Sequence, residues 1–505
     1  MSRLQASLFL IAIVGSAILL RSYNITARSL WFDEAFSWRL IHFPLQEMIM
    51  RDAQDVHPPL YYVLLQGYSH IFGSSLLAIR LFSVACSGIA IAGAYVFSAY
   101  AFRSRKVGFL AATLLAVSGW NISYAWESRM YPLGMVFALF SSYALLKAVR
   151  EKKIAWFALY TVLATCLAYT HYYGFFTIFA QILFAAGSIV RYTRGNIKEM
   201  LKNRITWYSI GAMIAALIAY SPWLPTFFQQ NKQVQTAYWV PPIASTSIPD
   251  TFYQFFVPTK EIPPHHWPII VLSLLPIMGT ITMWVWLVLR KNRQADGAIL
   301  TALLGFVPFA IGVVISLSGR SLYNDRFFAF AGIFVFCALA YALLSIPNKI
   351  LRRVVVLLAI IGLVASFIRY WNELDIAHKP GSRGATEYVF QQRTNEDQVM
   401  VSSPYVYFAI LNYATDEFFA PDVPRLFSQT GELSHFSGGP IMLQSDIVGS
   451  SDIAKFSGTV WVIDTTGYAE IPFQAPDNWI EVDKKIFPEV FVYQGDIIVR
   501  QFKVK

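Results

Sequence analysis

Charged residues are scarce in this chain of 505 residues, where they make up only 14% of the total. Soluble globular domains carry about 25% charged residues. Hydrophobic residues account for 56% of the chain and aromatic residues for 16%, so most of the chain has to lie in lipid. The composition therefore excludes an ordinary soluble protein and predicts an α-helical polytopic membrane protein.

Cysteine is also rare, and its placement argues against two kinds of site. Cys86, Cys166 and Cys337 all lie within apolar runs, which is typical of unpaired core thiols. A disulfide framework and a Cys-based metal site are therefore not expected. His265 and His266 are adjacent rather than spaced along one helix face, so they do not form a recognisable metal motif either.

The net charge of +10 does not indicate a nucleic-acid partner. Lys and Arg are distributed among short loops between the apolar runs, as membrane orientation signals are. We therefore expect the lipid bilayer, and no nucleic acid, to be the partner of this positive charge.

Eleven apolar runs are long enough to cross a bilayer, which takes about 20 residues in a helix. They cover residues 5–21, 76–101, 108–124, 132–148, 154–171, 174–190, 206–222, 268–289, 297–317, 327–345 and 353–370. The first run is not followed by a cleavage site, so we expect it to remain as a span. The apolar stretch 58–73 is shorter, and we predict that it is a juxtamembrane helix in the outer interface.

The basic residues predict the orientation of the chain. With a cytoplasmic N-terminus and no span at 58–73, the basic clusters in 103–106, 147–153, 191–204, 290–293 and 349–353 all fall on the cytoplasmic side. This agrees with the positive-inside rule. The sequence thus predicts a multi-pass protein of the plasma (inner) membrane whose C-terminal domain is extracytoplasmic.

The chain is predicted to divide into a transmembrane module, residues 1–370, and a soluble α/β domain, residues 371–505. The second part has strand-like runs at 398–402, 459–464, 490–493 and 497–502, and helix-like stretches near 383–393 and 404–414. Residues 494–496 are expected to join the last two strands in a hairpin.

Acidic, histidine and arginine residues collect in the loops predicted to be outside. Loop 223–267 is long and rich in proline and aromatic residues, which predicts a lid or binding loop. The candidate site residues on this side are Asp33, Glu34, Asp55, His57, Glu127, Arg129, Tyr131, His171, Arg320 and Arg326.

Asp33 and Glu34 are the strongest catalytic candidates. Adjacent carboxylates near the membrane repel each other and lose solvation, which is costly unless they have a function. In an alternative interpretation, they neutralise a surface helix that carries Arg28 and Arg39. A divalent cation bound by Asp33, Glu34 and Asp55 is a further hypothesis.

The other candidates also have structural interpretations that the sequence leaves open. Asp55 would cap a helix that starts at residues 58–59, and Glu127 would form an ion pair with Arg129. His171 would be a hydrogen-bonding residue of the interfacial aromatic belt, and Arg326 would anchor the topology.

These residue types suit group transfer from a phosphate-linked lipid. A carboxylate can take the proton of an incoming hydroxyl, while Arg and His stabilise the charge that develops on a leaving phosphate. Glycoside hydrolysis needs two carboxylates on opposite sides of the bond, an arrangement that neighbouring residues do not readily supply. A Gly-x-Ser-x-Gly nucleophile motif is lacking.

Four segments, residues 30–35, 55–62, 127–131 and 170–173, together resemble the protein-mannosyltransferase-type branch of the C-type glycosyltransferase superfamily. This branch includes dolichyl-phosphate-mannose protein mannosyltransferases and the aminoarabinose transferase of lipid A. The resemblance implies an inverting hexosyl or pentosyl transfer from a polyprenyl-phosphate-linked monosaccharide at the outer face. The acceptor would be a hydroxyl of a protein, a glycolipid or a polysaccharide.

The resemblance also implies roles for individual residues. Asp33 would act as the base on the acceptor hydroxyl, with Glu34 as its companion acid. Asp55 and His57 would line the donor or acceptor pocket, and Arg129 would lie near the donor phosphate. Arg320 or Arg326 would be the basic residue that precedes a late membrane helix.

Two other functions remain to be weighed. A flippase or other transporter of lipid-linked sugars would need polar residues deep in the spans or helices broken within the membrane. A membrane-anchored surface binding protein would use residues 371–505 as its working part. Deletion of that domain should leave Asp33-dependent chemistry in a transferase and remove the function of a binding protein.

Overall fold

The computed structural model describes residues 2–236, 240–259, 294–414, 423–429, 433, 435–467 and 473–505. The chain forms two compact units. The first unit contains residues 1–23, 57–61 and 80–371, and the second contains 24–56, 62–79 and 372–505. The predicted division after residue 370 stays a prediction, and the unit that holds 372–505 also takes in most of residues 24–79.

Long apolar helices make up most of the first unit. Among the described residues, eight helices are long and apolar enough to cross a membrane, or nine if one bent pair counts as a single span. The helices that coincide with predicted spans are Arg3–Ser22, Leu76–Ala101, Arg105–Val117 with Gly119–Ala125, Tyr131–Glu151, Ile154–Thr170, Gly174–Thr193, Arg204–Tyr220, Ala295–Ser318, Ala329–Leu344 and Lys349–Leu374. The predicted span 268–289 lies outside the described residues, so the total of eleven stays a prediction. The chain is a multi-pass membrane protein.

The stretch 58–73 forms a helix at Leu60–Phe72, which has 13 residues. At 1.5 Å per residue this helix is about 20 Å long, whereas the hydrocarbon core of a bilayer is about 30 Å thick. Its length therefore agrees with the prediction that it does not span. Its place in the outer interface stays a prediction.

The predicted span over 108–124 is bent. Two helices, Arg105–Val117 and Gly119–Ala125, meet there at a bend of 65°. The Ser118 hydroxyl accepts a hydrogen bond from the backbone N–H of Asn121 at 3.4 Å and so caps the second helix. Since Ser-Gly pairs are frequent kink sites, the sequence did contain a signal for this break.

The buried guanidinium of Arg21 supplies hydrogen bonds at the bend. It donates to the carbonyl oxygens of Ala116 at 2.9 Å and Leu115 at 3.0 Å. It also donates to the Asn121 side-chain oxygen at 2.8 Å. Carbonyls at the end of a helix have no partner in that helix, and lipid offers them no water. Arg21 therefore makes the break tolerable within the membrane protein.

The second unit contains a six-stranded sheet. Its strands are β1 (Gln398–Val401), β2 (Arg425–Phe427), β3 (Ile447–Val448), β4 (Gly458–Thr465), β5 (Trp479–Phe487) and β6 (Ile497–Val504). Their order in the sheet is β3-β2-β1-β4-β6-β5. Strands β1 to β4 run parallel, while β6 is antiparallel to both β4 and β5. Met400, Val460 and Phe502 are among the side chains of its core.

The sheet confirms the predicted α/β domain and corrects one of its strands. Helices Gly381–Gln392 and Pro404–Ala414 also occur where they were predicted. The predicted strand 490–493 is wrong, because Val492–Gln494 is a turn of 3₁₀ helix and β6 pairs with β5 instead. Strand β5 escaped the sequence analysis because the apolar alternation that begins at Ile480 and Val482 stops at Lys484, and its middle residues, 480–486, are all exposed.

Replacement of Arg21 by Met should destabilise the protein by about 2–5 kcal/mol, because the loss leaves buried carbonyls at the bend without donors. The thermal unfolding midpoint in detergent measures this effect. Arg105→Met is the control, since Arg105 is exposed and begins helix Arg105–Val117, at the opposite end from the carbonyls that Arg21 binds. Equal shifts in the two variants would contradict a special role for Arg21.

Candidate functional site

Two of the predicted site residues meet in the first unit. The Arg129 guanidinium lies 3.4 Å from Nε2 of His57, although the two residues are 72 positions apart in sequence. Arg129 is buried and lies in the short loop between helices Gly119–Ala125 and Tyr131–Glu151. The bend that Arg21 stabilises thus leads directly into this loop.

A second arginine joins the same loop from far along the chain. Nη2 of Arg326 lies 3.7 Å from Oε2 of Glu127, and its guanidinium lies 5.7 Å from the centre of the Tyr131 ring. The structure therefore gives Glu127 a partner in Arg326. Of the two late arginines considered from the sequence, Arg326 is the one brought to this loop. Arg320 donates a hydrogen bond to the carbonyl oxygen of Gln235 at 3.2 Å.

His171 packs against the same residues. Its ring centre lies 5.8 Å from that of His57 and 5.9 Å from that of Tyr131. Its Nδ1 accepts a hydrogen bond from the backbone N–H of Tyr173 at 3.1 Å, so the proton of the neutral ring is on Nε2. Among the described residues, this buried Nε2 has no hydrogen-bond partner.

His171 is held in its neutral form. Burial is the main cause that lowers its pKa well below the ordinary value of 6.5, and His57, Arg129 and Arg326 add to the effect. At neutral pH the ring therefore offers one N–H donor and carries no charge. The side chain is buried within the unit, which does not fit the interpretation of His171 as a residue of a surface aromatic belt.

The sequence analysis missed a polar chain that supports His57. The buried side chain of Gln230 donates to the carbonyl oxygen of His57 at 3.3 Å. The Tyr172 hydroxyl donates to Gln230, and Nε1 of Trp223 donates to the Tyr172 hydroxyl at 3.0 Å. The only signal in the sequence was a glutamine within the predicted loop, and its burial became evident from the structure. Residues 224–236 and 247–256 of that loop are helical, and its parts 237–239 and 260–267 lie outside the described residues. Its role as a lid or binding loop stays a prediction.

We call the residues His57, Glu127, Arg129, Tyr131, His171 and Arg326 the arginine cluster. It combines two guanidinium groups, one carboxylate, two imidazole rings and one phenol. Arg129 lies in a loop and Arg326 in the 3₁₀ helix Asp325–Phe328, each shortly before a long apolar helix. Such a set suits the binding of a phosphate, because the planar guanidinium matches two phosphate oxygens at once.

Asp33 and Glu34 lie in the second unit, in the first turn of helix Phe32–Leu40. Glu34 is fully buried and Asp33 is partly exposed. Negative charge is favourable at this end of a helix because of the helix dipole. The carboxylate that binds Arg39 belongs to Asp446, at 2.9 Å. Arg39 thus has an ion-pair partner far along the chain. The interpretation in which Asp33 and Glu34 neutralise the helix of Arg39 did not include this partner.

Asp55 is also in the second unit, where it is buried. The following helix begins at Leu60, so the residue before that helix is Pro59 and the capping interpretation of Asp55 is wrong. Among the described residues, no group of three or more His, Cys, Asp or Glu side chains could hold a metal ion. A cation at Asp33 and Asp55 stays a prediction.

Comparison with known proteins supports the resemblance found in the motifs. Residues 56–225 match the family model described as dolichyl-phosphate-mannose-protein mannosyltransferase. The chain resembles the crystal structures of ArnT from Cupriavidus metallidurans bound to undecaprenyl phosphate (TM-score 0.57, 11% identity, 97% of each chain covered) and in the apo state (TM-score 0.57, 12% identity, 98% of each chain covered). The archaeal oligosaccharyltransferase AglB from Archaeoglobus fulgidus is also similar (TM-score 0.48, 12% identity, 91% of this chain and 70% of that chain covered).

The fold is therefore that of ArnT, with a helical membrane part and a small C-terminal sheet domain. The resemblance carried by the motifs agrees with the family model over residues 56–225 and with the ArnT fold of the whole chain. A search of curated protein sequences gave no significant match.

The depressed pKa of His171 predicts a pH-dependent stability. Above about pH 6.5 the ring is neutral in both the folded and the unfolded chain. Below that pH the unfolded chain binds a proton that the folded protein does not, so folding loses up to about 1.4 kcal/mol per pH unit. Replacement by Asn, whose oxygen can still accept from the Tyr173 N–H, should flatten the fall of the unfolding midpoint between pH 7 and pH 5. The same slope in wild type and His171→Asn would contradict the prediction. His378→Asn, which removes an exposed histidine outside this group of residues, is the control for the loss of a histidine as such.

Proposed function

We propose that this protein is an inverting glycosyltransferase that uses a polyprenyl-phosphate-linked monosaccharide as its donor. It transfers the sugar to a hydroxyl of a protein, glycolipid or polysaccharide at the extracytoplasmic face of the plasma (inner) membrane. The observation that carries the proposal is the arginine cluster, where Arg129 and Arg326 bring two positive charges beside the neutral His171.

The arginine cluster is assigned to the phosphate of the donor. When the bond between the anomeric carbon and the phosphate oxygen breaks, the electron pair leaves with the phosphate, whose negative charge increases. Guanidinium groups fixed in a water-poor site stabilise this charge without having to reorganise. The ArnT structure that shares this fold contains undecaprenyl phosphate, which supports the same class of lipid for this chain.

Asp33 is assigned to the acceptor. Its carboxylate takes the proton of the acceptor hydroxyl as the hydroxyl oxygen attacks the anomeric carbon from the side opposite the phosphate. Attack from that side inverts the configuration, and phosphate leaves without a proton. Glu34, one residue further on the same helix, is the companion acid.

Transport of the same lipid is the second candidate, and the broken helix at Ser118 is the feature that favours it, because transporters bind substrates at such breaks. In this protein, Arg21 hydrogen-bonds to the carbonyls of Leu115 and Ala116 at the break. Those carbonyls are engaged by the protein itself, so the break is better explained as structure than as a substrate site. Translocation of a fluorescent polyprenyl-phosphate lipid across proteoliposomes, without sugar transfer, would favour the transporter.

Replacement of Asp33 by Asn should reduce sugar transfer at least about 100-fold, because a positioned general base contributes roughly that factor or more. Donor-lipid binding and protein level should remain close to wild type. The assay offers a panel of radiolabelled polyprenyl-phosphate sugars to purified protein, with a membrane fraction as the source of acceptors. Glu47→Gln, at a partly exposed carboxylate of the next helix, Leu45–Asp52, is the control that should retain transfer. Retained transfer in Asp33→Asn would remove its assignment as the base.

Replacement of Arg129 by Gln should weaken the binding of polyprenyl phosphate about 10- to 100-fold, since hydrogen bonds to charged groups contribute about 1.5–3 kcal/mol. Binding is measured with the purified protein and labelled undecaprenyl phosphate. Arg150→Gln is the matched control, because Arg150 is a mostly buried arginine at the other end of helix Tyr131–Glu151 and donates to the carbonyl oxygens of Tyr100 and Ala101. Equal losses in both variants would show that the effect is not specific to the arginine cluster.

A further inference from the structure

A buried ion pair joins the helix of Asp33 to the C-terminal part of the second unit. Nη2 of Arg39, near the end of helix Phe32–Leu40, lies 2.9 Å and 3.1 Å from the two carboxylate oxygens of Asp446. The two side chains are only 1% and 6% exposed. Asp446 in turn accepts a hydrogen bond from the backbone N–H of Leu443 at 2.8 Å. Both ends of this interaction are thus fixed by their surroundings.

The residues just before Asp33 are held by the same part of the chain. The Trp31 ring stacks on Phe491 with centres 5.1 Å apart and an angle of 15° between the planes. One residue earlier, the backbone N–H of Leu30 donates to the Tyr413 hydroxyl at 2.8 Å. Residues 372–505 therefore contact the chain both immediately before Asp33 and six residues after it.

The contacts of Leu30, Trp31 and Arg39 restrict the orientation of helix Phe32–Leu40 more than they stabilise the protein. A buried ion pair is often no more stabilising than apolar side chains of similar volume, because desolvation offsets the attraction. Its geometry is nevertheless directional, since the guanidinium has to meet a carboxylate that is itself fixed. A helix held at its beginning by Trp31 and near its end by Arg39 can neither rotate nor slide freely.

We propose that the C-terminal domain is a positioning element of the transferase, with Arg39 and Asp446 as positioning residues that set the orientation of Asp33. This inference rests on the proposed role of Asp33 as the base. It reverses the expectation from the sequence that deletion of residues 371–505 leaves Asp33-dependent chemistry intact. Deletion removes Asp446, Tyr413 and Phe491 together.

The test compares the same substitution in two similar ion pairs. Asp446→Asn breaks the pair with Arg39. Asp464→Asn breaks a pair with Arg500 in which the nitrogen and oxygen are also 2.9 Å apart. The Asp464 side chain is 7% exposed. The hydrogen-bond partners of Asp464, which include Ser402 and Arg500, all lie within residues 372–505. The second variant therefore controls for damage to the sheet domain itself.

We expect Asp446→Asn to lower kcat for sugar transfer at least about 10-fold and to change KM for the donor lipid less than about 2-fold. Hydrogen–deuterium exchange of residues 30–40 should become faster in this variant. Asp464→Asn should keep kcat within about 2-fold of wild type and leave exchange of residues 30–40 unchanged. Phe491→Leu removes the ring that stacks on Trp31 and that lies 4.7 Å from the Arg28 guanidinium, and it should act in the same direction as Asp446→Asn with a smaller effect.

Two results would overturn the positioning role. One is an equal loss of kcat in Asp446→Asn and Asp464→Asn, and the other is unchanged exchange of residues 30–40 in both Asp446→Asn and Phe491→Leu. The exchange measurement needs no substrate. A wild-type protein that transfers no sugar from any donor of the panel would therefore overturn the proposed function, whereas unchanged exchange overturns the positioning role whatever the activity.

Discussion

The hydrogen bonds from Arg21 to the carbonyls of Leu115 and Ala116 are the interaction on which the membrane part of the site depends. In lipid, a helix can break only where its exposed carbonyls find donors inside the protein. Arg21 provides several donors from one planar group, and its own carbonyl oxygen accepts from Nε1 of Trp126 at 3.0 Å. The first helix is thereby tied to both sides of the bend. Since Glu127 and Arg129 follow immediately, their placement is a consequence of this contact.

The second unit uses a buried arginine for a different purpose. Arg21 is surrounded by carbonyl, hydroxyl and amide oxygens, whereas Arg39 meets the full negative charge of Asp446. Neutral oxygens suffice at a helix end because the carbonyls there already carry partial negative charge. Between the helix of Asp33 and the sheet domain, a carboxylate gives both charge compensation and a defined direction. A lysine could not replace either arginine simply, because it lacks the planar group with several fixed donors.

The parts of the fold that could be predicted are those that local sequence patterns encode. Apolar length identified the helices, and basic residues in short loops suggested the sides of the membrane. The failures have physical reasons of their own. Strand β5 is exposed along its middle, and its apolar alternation stops at Lys484. The bend at Ser118 lies within an apolar run that is long enough for one span. The pairing of Arg39 with Asp446 joins residues 407 positions apart, and such contacts leave no local signal. The motifs did identify Arg129, His57, Glu127 and His171 as candidates, but not which of them touch, nor the supporting role of Gln230.

Arg129 and Arg326 carry the positive charge of the arginine cluster. The buried environment that they share with His171 keeps this histidine neutral. A positive charge on His171 would be poorly solvated because the ring is buried, and it would be repelled by His57, Arg129 and Arg326, so the pKa of His171 falls well below its ordinary value. His171 therefore adds a hydrogen-bond donor to the cluster without adding charge, and it keeps that state as the pH falls toward mildly acidic values. Binding of a phosphate would bring in negative charge, which favours protonation of nearby groups. A donor lipid and a proton on His171 should thus stabilise each other, so that the pKa of His171 rises when the lipid phosphate is bound and falls again when it leaves.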